Sequence, residues 1–277
     1  MPQNLPHTPV LLKEAVCHLI TDRDGTYLDG TIGYGGHAEA LLAELSNKGQ
    51  LIGMDLDPYA LEYTQKRLSS YRNSYSLHNA NYREYPKLLL NIGVKNLTGI
   101  MLDLESSSAQ INSEHRGFSF QNDTVLDMRF NPHTGIPARE YLNNAEEKEI
   151  SDTIREYGEE RHHRKIANLI YKAARSGNMN TTNDLKNAIA QVSHPRFLNK
   201  SLARVFQAIR IVINDELNSL KDALTYSTQW LKSGGRIVVI SFHSLEDRIV
   251  KQFFKNYAIS CVCPREYPVC ICNTEPS

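Results

Sequence analysis

The chain has 277 residues, enough for one large domain or two modest ones with a sizeable hydrophobic core. Its 31 Lys and Arg residues balance its 31 Asp and Glu residues, so any surface that attracts a nucleic acid must be local. No apolar run approaches the roughly 20 residues that span a bilayer. Lys13 and Glu14 interrupt the apolar part of an N-terminus that has no basic start. We therefore expect a cytoplasmic protein with neither a signal peptide nor a membrane partner.

Strand and helix patterns alternate four times along the first hundred residues, which favours a parallel sheet with helices on both faces. The first predicted helix, PVLLKEAVCHLI (9–20), precedes this alternation. The four predicted strands are GTYLDGTI (25–32), QLIGMDLD (50–57), YSLHNANY (75–82) and LTGIMLDLES (97–106). The helices between and after them are HAEALLAELSNKG (37–49), PYALEYTQKRLSSY (58–71) and YPKLLLNIGV (85–94).

The alternation stops after residue 106, and a charged helical region without strand signals extends from about residue 137 to 190. One long helix is predicted from about Arg204 to Leu231, followed by a fifth strand in SGGRIVVISFHS and a last helix in LEDRIVKQFFKN. We interpret this as an α/β core interrupted by a helical insertion. The expected boundaries are residues 1–108 for the first part of the core, 109–203 for an inserted helical substrate-binding domain, and 204–277 for the second part.

A glycine-rich loop, DGTIGYGGHAEALL, joins the first strand to a helix. Glycine permits positive φ and close approach of a ligand to the backbone. Gly33, Gly35 and Ala38 also match the dinucleotide fingerprint G-x-G-x-x-A, which is weak evidence by itself. Asp55, at the end of the second strand, can accept both ribose hydroxyls of NAD or of S-adenosylmethionine. Asp29, before the loop, suits a cationic ligand better than a pyrophosphate. The alternative is a glycine turn with two solvated acids.

Three further features each allow a functional and a structural interpretation. Asp103 ends the fourth strand and either faces the ligand crevice or begins a turn. The basic segment RHHRK (161–165), with Arg155, Lys172 and Arg175, either contacts phosphates or forms a solvated helix face. Glu246, Asp247 and Arg248 either brace a helix or take part in catalysis, and Ser244 with Asp247 has the spacing of a helix-capping box, which favours the structural role.

Five cysteines are present, and four of them crowd the C-terminus. Cys17 lies in a helical pattern and is interpreted as a buried apolar residue. The spacing of the other four fits a zinc hairpin imperfectly, and a reduced tail is the alternative. We therefore assign no metal site. The terminal four are Cys261, Cys263, Cys270 and Cys272.

Eight ordered segments between His7 and about Lys255 together resemble the MraW/RsmH family. They are HTPVLLKEAV, DGTIGYGGHAEALL, GMDLDPYAL, RGFSF, LDMR, YGEERHHRKIANLI, RVFQAIRIVINDEL and GGRIVVISFHSLEDRIVKQFF. The resemblance implies a Rossmann-like methyltransferase fold with an inserted all-helical domain. It also implies S-adenosylmethionine as the cofactor and methylation of the exocyclic N4 of a cytosine in the decoding region of small-subunit ribosomal RNA. The expected partner is the RNA of the small (30S) subunit, and a homodimer is left open.

The loop and the resemblance assign the site residues. Those expected to bind the cofactor are Gly33, Gly35, Gly36, His37, Asp55, Tyr82, Asp103 and Gln110. Methyl transfer to an amine needs alignment and hydrogen-bond acceptors for the amino protons. The candidate catalytic residues are therefore Asp103, Ser107 and His243, with Ser108 as a further acceptor.

Two departures from the family pattern stand out. The fourth-strand motif reads LDLESSSAQ, in which Glu105, Ser106 and Ala109 replace glycine, valine and proline. The chain also ends before the basic stretch in which family members usually continue, and we expect a truncation. Two other functions stay open: a methyltransferase of another RNA or amine, and a non-catalytic ribosome-assembly factor. A nicotinamide dehydrogenase is a more distant alternative.

Overall fold

The computed structural model describes residues 9–71, 75–105 and 116–258. Two compact units divide the chain. An α/β unit is built from the described parts of residues 8–55, 59–105 and 217–277, and a helical unit from those of residues 106–216 with the short segment Leu56–Pro58.

Five parallel strands form the sheet of the α/β unit, in the order β3-β2-β1-β4-β5. Gly99 pairs with Arg236 after a register shift between β4 and β5. This sheet confirms the predicted α/β fold. The strands are β1 (Thr26–Asp29), β2 (Gln50–Asp55), β3 (Tyr75–Asn79), β4 (Leu97–Asp103) and β5 (Leu231–Ile240).

Helices account for most of the remaining described residues, and short 3-10 turns lie at Ser69–Tyr71, Tyr82–Glu84 and Pro195–Phe197. The helices are α1 (Leu12–Leu19), α2 (Gly36–Glu44), α3 (Pro58–Arg67), α4 (Tyr85–Asn91), α5 (Ala138–Asn144), α6 (Glu147–Gly158), α7 (His163–Arg175), α8 (Thr182–Ala190), α9 (Leu198–Asn214), α10 (Glu216–Trp230) and α11 (Ser244–Tyr257). None of these helices is long and apolar enough to cross a membrane.

Alternating strand side chains give the sheet two apolar faces, because successive residues of a strand point in opposite directions. Tyr27 packs with α1 and α2 on one face, whereas Leu28 packs with α4 and α10 on the other. Helices therefore cover both faces, as the run of buried residues in β4 requires.

The helical unit has its own hydrophobic core, to which α5, α6, α7, α8 and α9 all contribute. Leu202, Val205 and Phe206 of α9 are buried in it. Helix α9 thus belongs to the helical unit, which extends to Glu216, whereas the sequence placed the boundary at residue 203.

The prediction of one long helix from Arg204 to Leu231 is wrong, because this part of the chain forms two helices, α9 and α10. Asp215 adopts a left-handed conformation (φ 49°) between α9 and α10. The Asn214 amide donates to the Met128 carbonyl at 2.8 Å and accepts from the Phe130 N–H at 2.8 Å. These tertiary hydrogen bonds stabilise the break, and no local pattern encodes them. The prediction that Cys17 is buried is also wrong, because this residue is exposed on α1.

Candidate functional site at the carboxyl edge of the sheet

Three aspartates end three neighbouring strands at the same edge of the sheet. Asp55 ends β2, Asp29 ends β1 and Asp103 ends β4, and these strands are adjacent in the order of the sheet. Ligands of open α/β sheets bind beyond this edge. The structure thus brings together the three acids that the sequence selected.

Burial and like charge together determine the ionisation of Asp29, whose exposure is 1%. The pKa of its carboxyl is raised to about 8, mainly because burial desolvates the charged form, and the neighbouring carboxylates of Asp103 and Asp55 contribute to the rise. The Thr31 N–H donates to Asp29 Oδ1 at 3.2 Å and opposes the shift. At neutral pH the Asp29 carboxyl is therefore mostly protonated.

Replacing Asp29 with asparagine is expected to flatten the decline of stability with rising pH. The folded pKa of about 8 exceeds the unfolded value of about 3.9, so the folded protein retains a proton that the unfolded chain has lost. The resulting stabilisation is fully present below the unfolded pKa and is lost as the pH rises through the folded pKa, by up to about 1.4 kcal/mol per pH unit. Urea unfolding at about pH 5, 7 and 9 measures the difference between the two proteins.

Asparagine suits this test because its side-chain carbonyl still accepts the Thr31 N–H. Glu62→Gln provides an exposed acid as the control, since the Glu62 side chain is 67% exposed. Equal slopes of stability against pH for Asp29→Asn and the unchanged chain would contradict the assignment.

The glycine loop is held by side chains from β2 and α3. The Gly33 N–H donates to Asp55 Oδ2 at 2.8 Å, and Thr64 Oγ1 donates to the Gly33 carbonyl at 2.7 Å. Gly33 (φ 50°) and Gly35 (φ 77°) both have left-handed backbone conformations, which favour glycine. The loop thus anchors Asp55 directly and turns the chain into α2, whose first residue is Gly36.

His37 and Asp103 face each other at the start of α2, and both side chains are nearly buried. His37 Nε2 lies 3.1 Å from the Val10 carbonyl, which can only accept, so Nε2 carries a hydrogen. His37 Nδ1 lies 3.4 Å from Asp103 Oδ2. A proton on Nδ1 would therefore create an imidazolium–carboxylate pair. The Glu105 N–H donates to Asp103 Oδ1 at 3.4 Å, so the departure at residue 105 contacts this acid through its backbone.

Of the remaining predicted site residues, the structure describes Tyr82 but not Ser107, Ser108 or Gln110. Tyr82 follows β3 and lies against the end of β1, since a Cβ on Gly30 would approach the Tyr82 Cβ to 2.9 Å. The four terminal cysteines also lie outside the described residues.

His243 caps the last helix. Its extended backbone (φ −140°) precedes α11, and its side chain accepts the Glu246 N–H. Glu246 Oε2 accepts the N–H groups of Phe242, at 2.9 Å, and His243, at 3.4 Å. The capping box is thus formed by His243 and Glu246, and the prediction of Ser244 with Asp247 is wrong. A catalytic role for His243 stays a prediction.

Sequence reasoning missed a buried ion pair, although both partners lie in segments that it quoted. Asp57 is fully buried, and its Oδ2 pairs with Arg116 Nη1. Arg116 Nη2 also donates to the carbonyls of Arg129, at 2.9 Å, and Phe130. One guanidinium thus ties the RGFSF and LDMR segments to the residues that follow β2. The only local signal was an acid directly before Pro58.

The parallel sheet, the glycine loop and the acids at the strand ends define a protein of the Rossmann-like class with a ligand-binding edge. The model of the MraW methylase family matches residues 4–277, and the chain belongs to that family. This confirms the resemblance found in the sequence.

Relatives match almost the whole chain, and all three named here are called "Ribosomal RNA small subunit methyltransferase H". The protein of Caldicellulosiruptor bescii is 43% identical over 96% of this chain and 87% of its own length. The protein of Fusobacterium nucleatum is 42% identical over 96% of this chain and 85% of its own length. The protein of Geobacter sulfurreducens is 42% identical over 98% of this chain and 88% of its own length.

Proposed function

We propose that the protein transfers a methyl group from S-adenosylmethionine to the exocyclic N4 of a cytosine in the decoding region of small-subunit ribosomal RNA. The observation that carries the proposal is the cluster of Asp29, Asp55 and Asp103 beside the glycine loop. Family membership and the names of the relatives support the methyltransferase activity and the RNA substrate. A small-subunit substrate is consistent with a cytoplasmic location.

The residues at the strand ends fit a cationic cofactor better than a pyrophosphate. The Gly33 N–H, which would face a phosphate in a dinucleotide site, already donates to Asp55 Oδ2. Burial is the main cause of the raised pKa of Asp29, about 8, and the negative potential of Asp103 and Asp55 adds to it. A ligand with a sulfonium and an ammonium group relieves this potential, whereas a pyrophosphate increases it.

The proposed cofactor contacts follow from these positions. Asp55 would accept the ribose hydroxyls, Tyr82 would lie beside the adenine, and the loop of residues 33–37 would hold the remainder of the cofactor. Gln110 completes the set in the family pattern. Bound S-adenosylmethionine supplies an electrophilic methyl group on a positively charged sulfur.

The difficult part of the reaction is the weak nucleophile, because the cytosine amino lone pair is delocalised into the ring. We assign to the Asp103 carboxylate a hydrogen bond from an amino proton, which raises the electron density on the nitrogen. The new N–C bond would form as the methyl–sulfur bond breaks and S-adenosylhomocysteine leaves, and the Asp103 carboxylate would accept the proton that the nitrogen then releases. Ser107 and His243 are the further candidates for orienting the base. Positioning and electrostatics carry the rest of the rate increase.

Labelled methyl transfer tests the proposal. Small ribosomal subunits that lack the modification are incubated with the protein and methyl-labelled S-adenosylmethionine, and the RNA is digested to nucleosides. Label in N4-methylcytidine is expected. Label in another nucleoside would indicate a different RNA methyltransferase, and binding without label would indicate an assembly factor. Either result would contradict the proposed reaction.

Asp55→Ala provides the matched test of the cofactor site. It removes a charged hydrogen-bond acceptor, so the affinity for S-adenosylhomocysteine should fall about 10- to 150-fold by calorimetry. Glu62→Gln removes an acid from the exposed surface of α3 and should leave the affinity unchanged. Equal affinities of Asp55→Ala and the unchanged chain would remove Asp55 from the site.

A further inference from the structure

An exposed aromatic side chain lies at the beginning of α9 in the helical unit. Phe197 is 51% exposed and ends the 3-10 turn Pro195–Phe197. A single exposed phenylalanine needs no special explanation. Phe197 differs from such a residue because cationic and hydrogen-bonding side chains surround it. We call the set of His194, Arg196, Phe197, Lys200 and Arg204 the 194–204 surface.

Two groups with hydrogen-bond donors lie next to the Phe197 ring. The Arg196 guanidinium carbon is 5.7 Å from the ring centroid, within the range of a cation–π contact. The His194 ring centroid is 6.1 Å away, with the planes tilted by 52°. His194 Nδ1 accepts the Arg196 N–H at 3.2 Å, so Nε2 carries the hydrogen of the neutral imidazole. The aromatic ring therefore has both a cation and a donor beside it.

Cations continue from this ring along the exposed face of α9. Lys200 and Arg204 are exposed and four residues apart, so they share a helix face. Arg204 Nη1 lies 3.7 Å from Glu160 Oε2, which offsets part of its charge. Residues 185–214 contain no Asp or Glu, although the chain as a whole is neutral. The 194–204 surface thus has a local positive field, as the overall composition requires of any RNA-binding site.

We propose that the 194–204 surface binds an unpaired nucleotide of the RNA substrate, whose base stacks on Phe197 while flanking phosphates contact Arg196, Lys200 and Arg204. This combination of an exposed ring and a cationic track is how proteins bind single-stranded nucleic acid. A protein partner would require a wider apolar patch, and the surface offers one ring among cations. The inference rests on the proposed function, since it takes ribosomal RNA as the substrate.

Binding of labelled oligouridine, a single strand without secondary structure, tests the proposal. Phe197→Ala should raise the Kd by about 5- to 150-fold, the range that base–aromatic stacking contributes. Phe197→Trp keeps a stacking ring and should bind at least as tightly as the unchanged chain. Replacing Arg196 and Lys200 together by alanine should reduce the slope of log K against log salt by about 1.4, whereas Phe197→Ala should not change it.

Phe254→Ala is the matched control, since Phe254 is 40% exposed on α11 of the other unit. Its Kd for oligouridine should equal that of the unchanged chain. If Phe197→Ala binds oligouridine normally and also shows a normal KM for small subunits, the 194–204 surface is not an RNA site.

Weaker binding of subunits alone, with normal oligouridine binding, would indicate a protein contact and would also overturn the proposal. Failure of the proposed function is distinguishable. The unchanged chain would then place no label in N4-methylcytidine, whereas Phe197→Ala would still weaken oligouridine binding.

Discussion

Replacing Asp103 with asparagine should lower kcat about 100- to 1000-fold, the loss typical for one preorganised group that stabilises a transition state. Asparagine has the same shape, and its side-chain carbonyl still accepts the Glu105 N–H. It lacks the negative charge that attracts the amino proton, and it cannot take up that proton. Single-turnover methyl transfer at saturating cofactor measures the rate, and calorimetry measures the affinity for S-adenosylhomocysteine.

The comparison of rate and affinity distinguishes the roles of Asp103. A large fall in rate with a small change in affinity supports a catalytic group. A fall in affinity with an unchanged saturated rate would restrict Asp103 to cofactor binding. Asp22→Asn, which alters an exposed acid, serves as the control.

The pair of His37 and Asp103 adds a second readout. If the two groups act as a unit, the double variant Asp103→Asn/His37→Gln should lose little more rate than Asp103→Asn alone. Additive losses would show that His37 acts independently. The 3.4 Å between His37 Nδ1 and Asp103 Oδ2 favours the first result.

Replacing Asp57 with alanine should lower the free energy of unfolding by about 3–5 kcal/mol, because it leaves the Arg116 guanidinium without its buried counter-charge. Asp57 is fully buried, and the Arg116 side chain is only 15% exposed. Urea unfolding followed by circular dichroism gives the change in stability.

Arg116→Met completes a double-mutant cycle for this pair. Met preserves most of the apolar stem and removes the charge, so the double variant should be more stable than Asp57→Ala alone. Additive losses would mean that the two residues act separately. Lys66→Met, which breaks an exposed ion pair with Glu62, should change stability by less than about 1 kcal/mol.

Local chemistry made much of the fold predictable. Apolar strands of four to ten residues alternated with helical patterns, and a parallel sheet requires such crossovers. The sequence also predicted where the strands end, so the positions of Asp29, Asp55 and Asp103 at one edge of the sheet followed from the parallel topology. The glycines between β1 and α2 predicted a tight loop, because glycine adopts positive φ easily. Gly33 and Gly35 do have positive φ in the structure.

Other features depended on distant residues. Arg116 and Asp57 are 59 positions apart, and no periodicity predicts that their charges meet in the interior. His243 rather than Ser244 caps α11, because the chain leaves β5 with extended geometry at residue 243. Cys17 is exposed because it lies on the outer face of α1, whereas Ala15 and Leu19 face the core.

The amino-acid sequence by itself determined the α/β fold, the acids at the strand ends, the glycine loop and membership of the MraW family, since these are encoded in local patterns and ordered motifs. Tertiary structure alone decided the break at Asp215, the ion pair of Asp57 with Arg116 and the raised pKa of Asp29. The physical reason is that each of these depends on burial and on partners brought close only by folding.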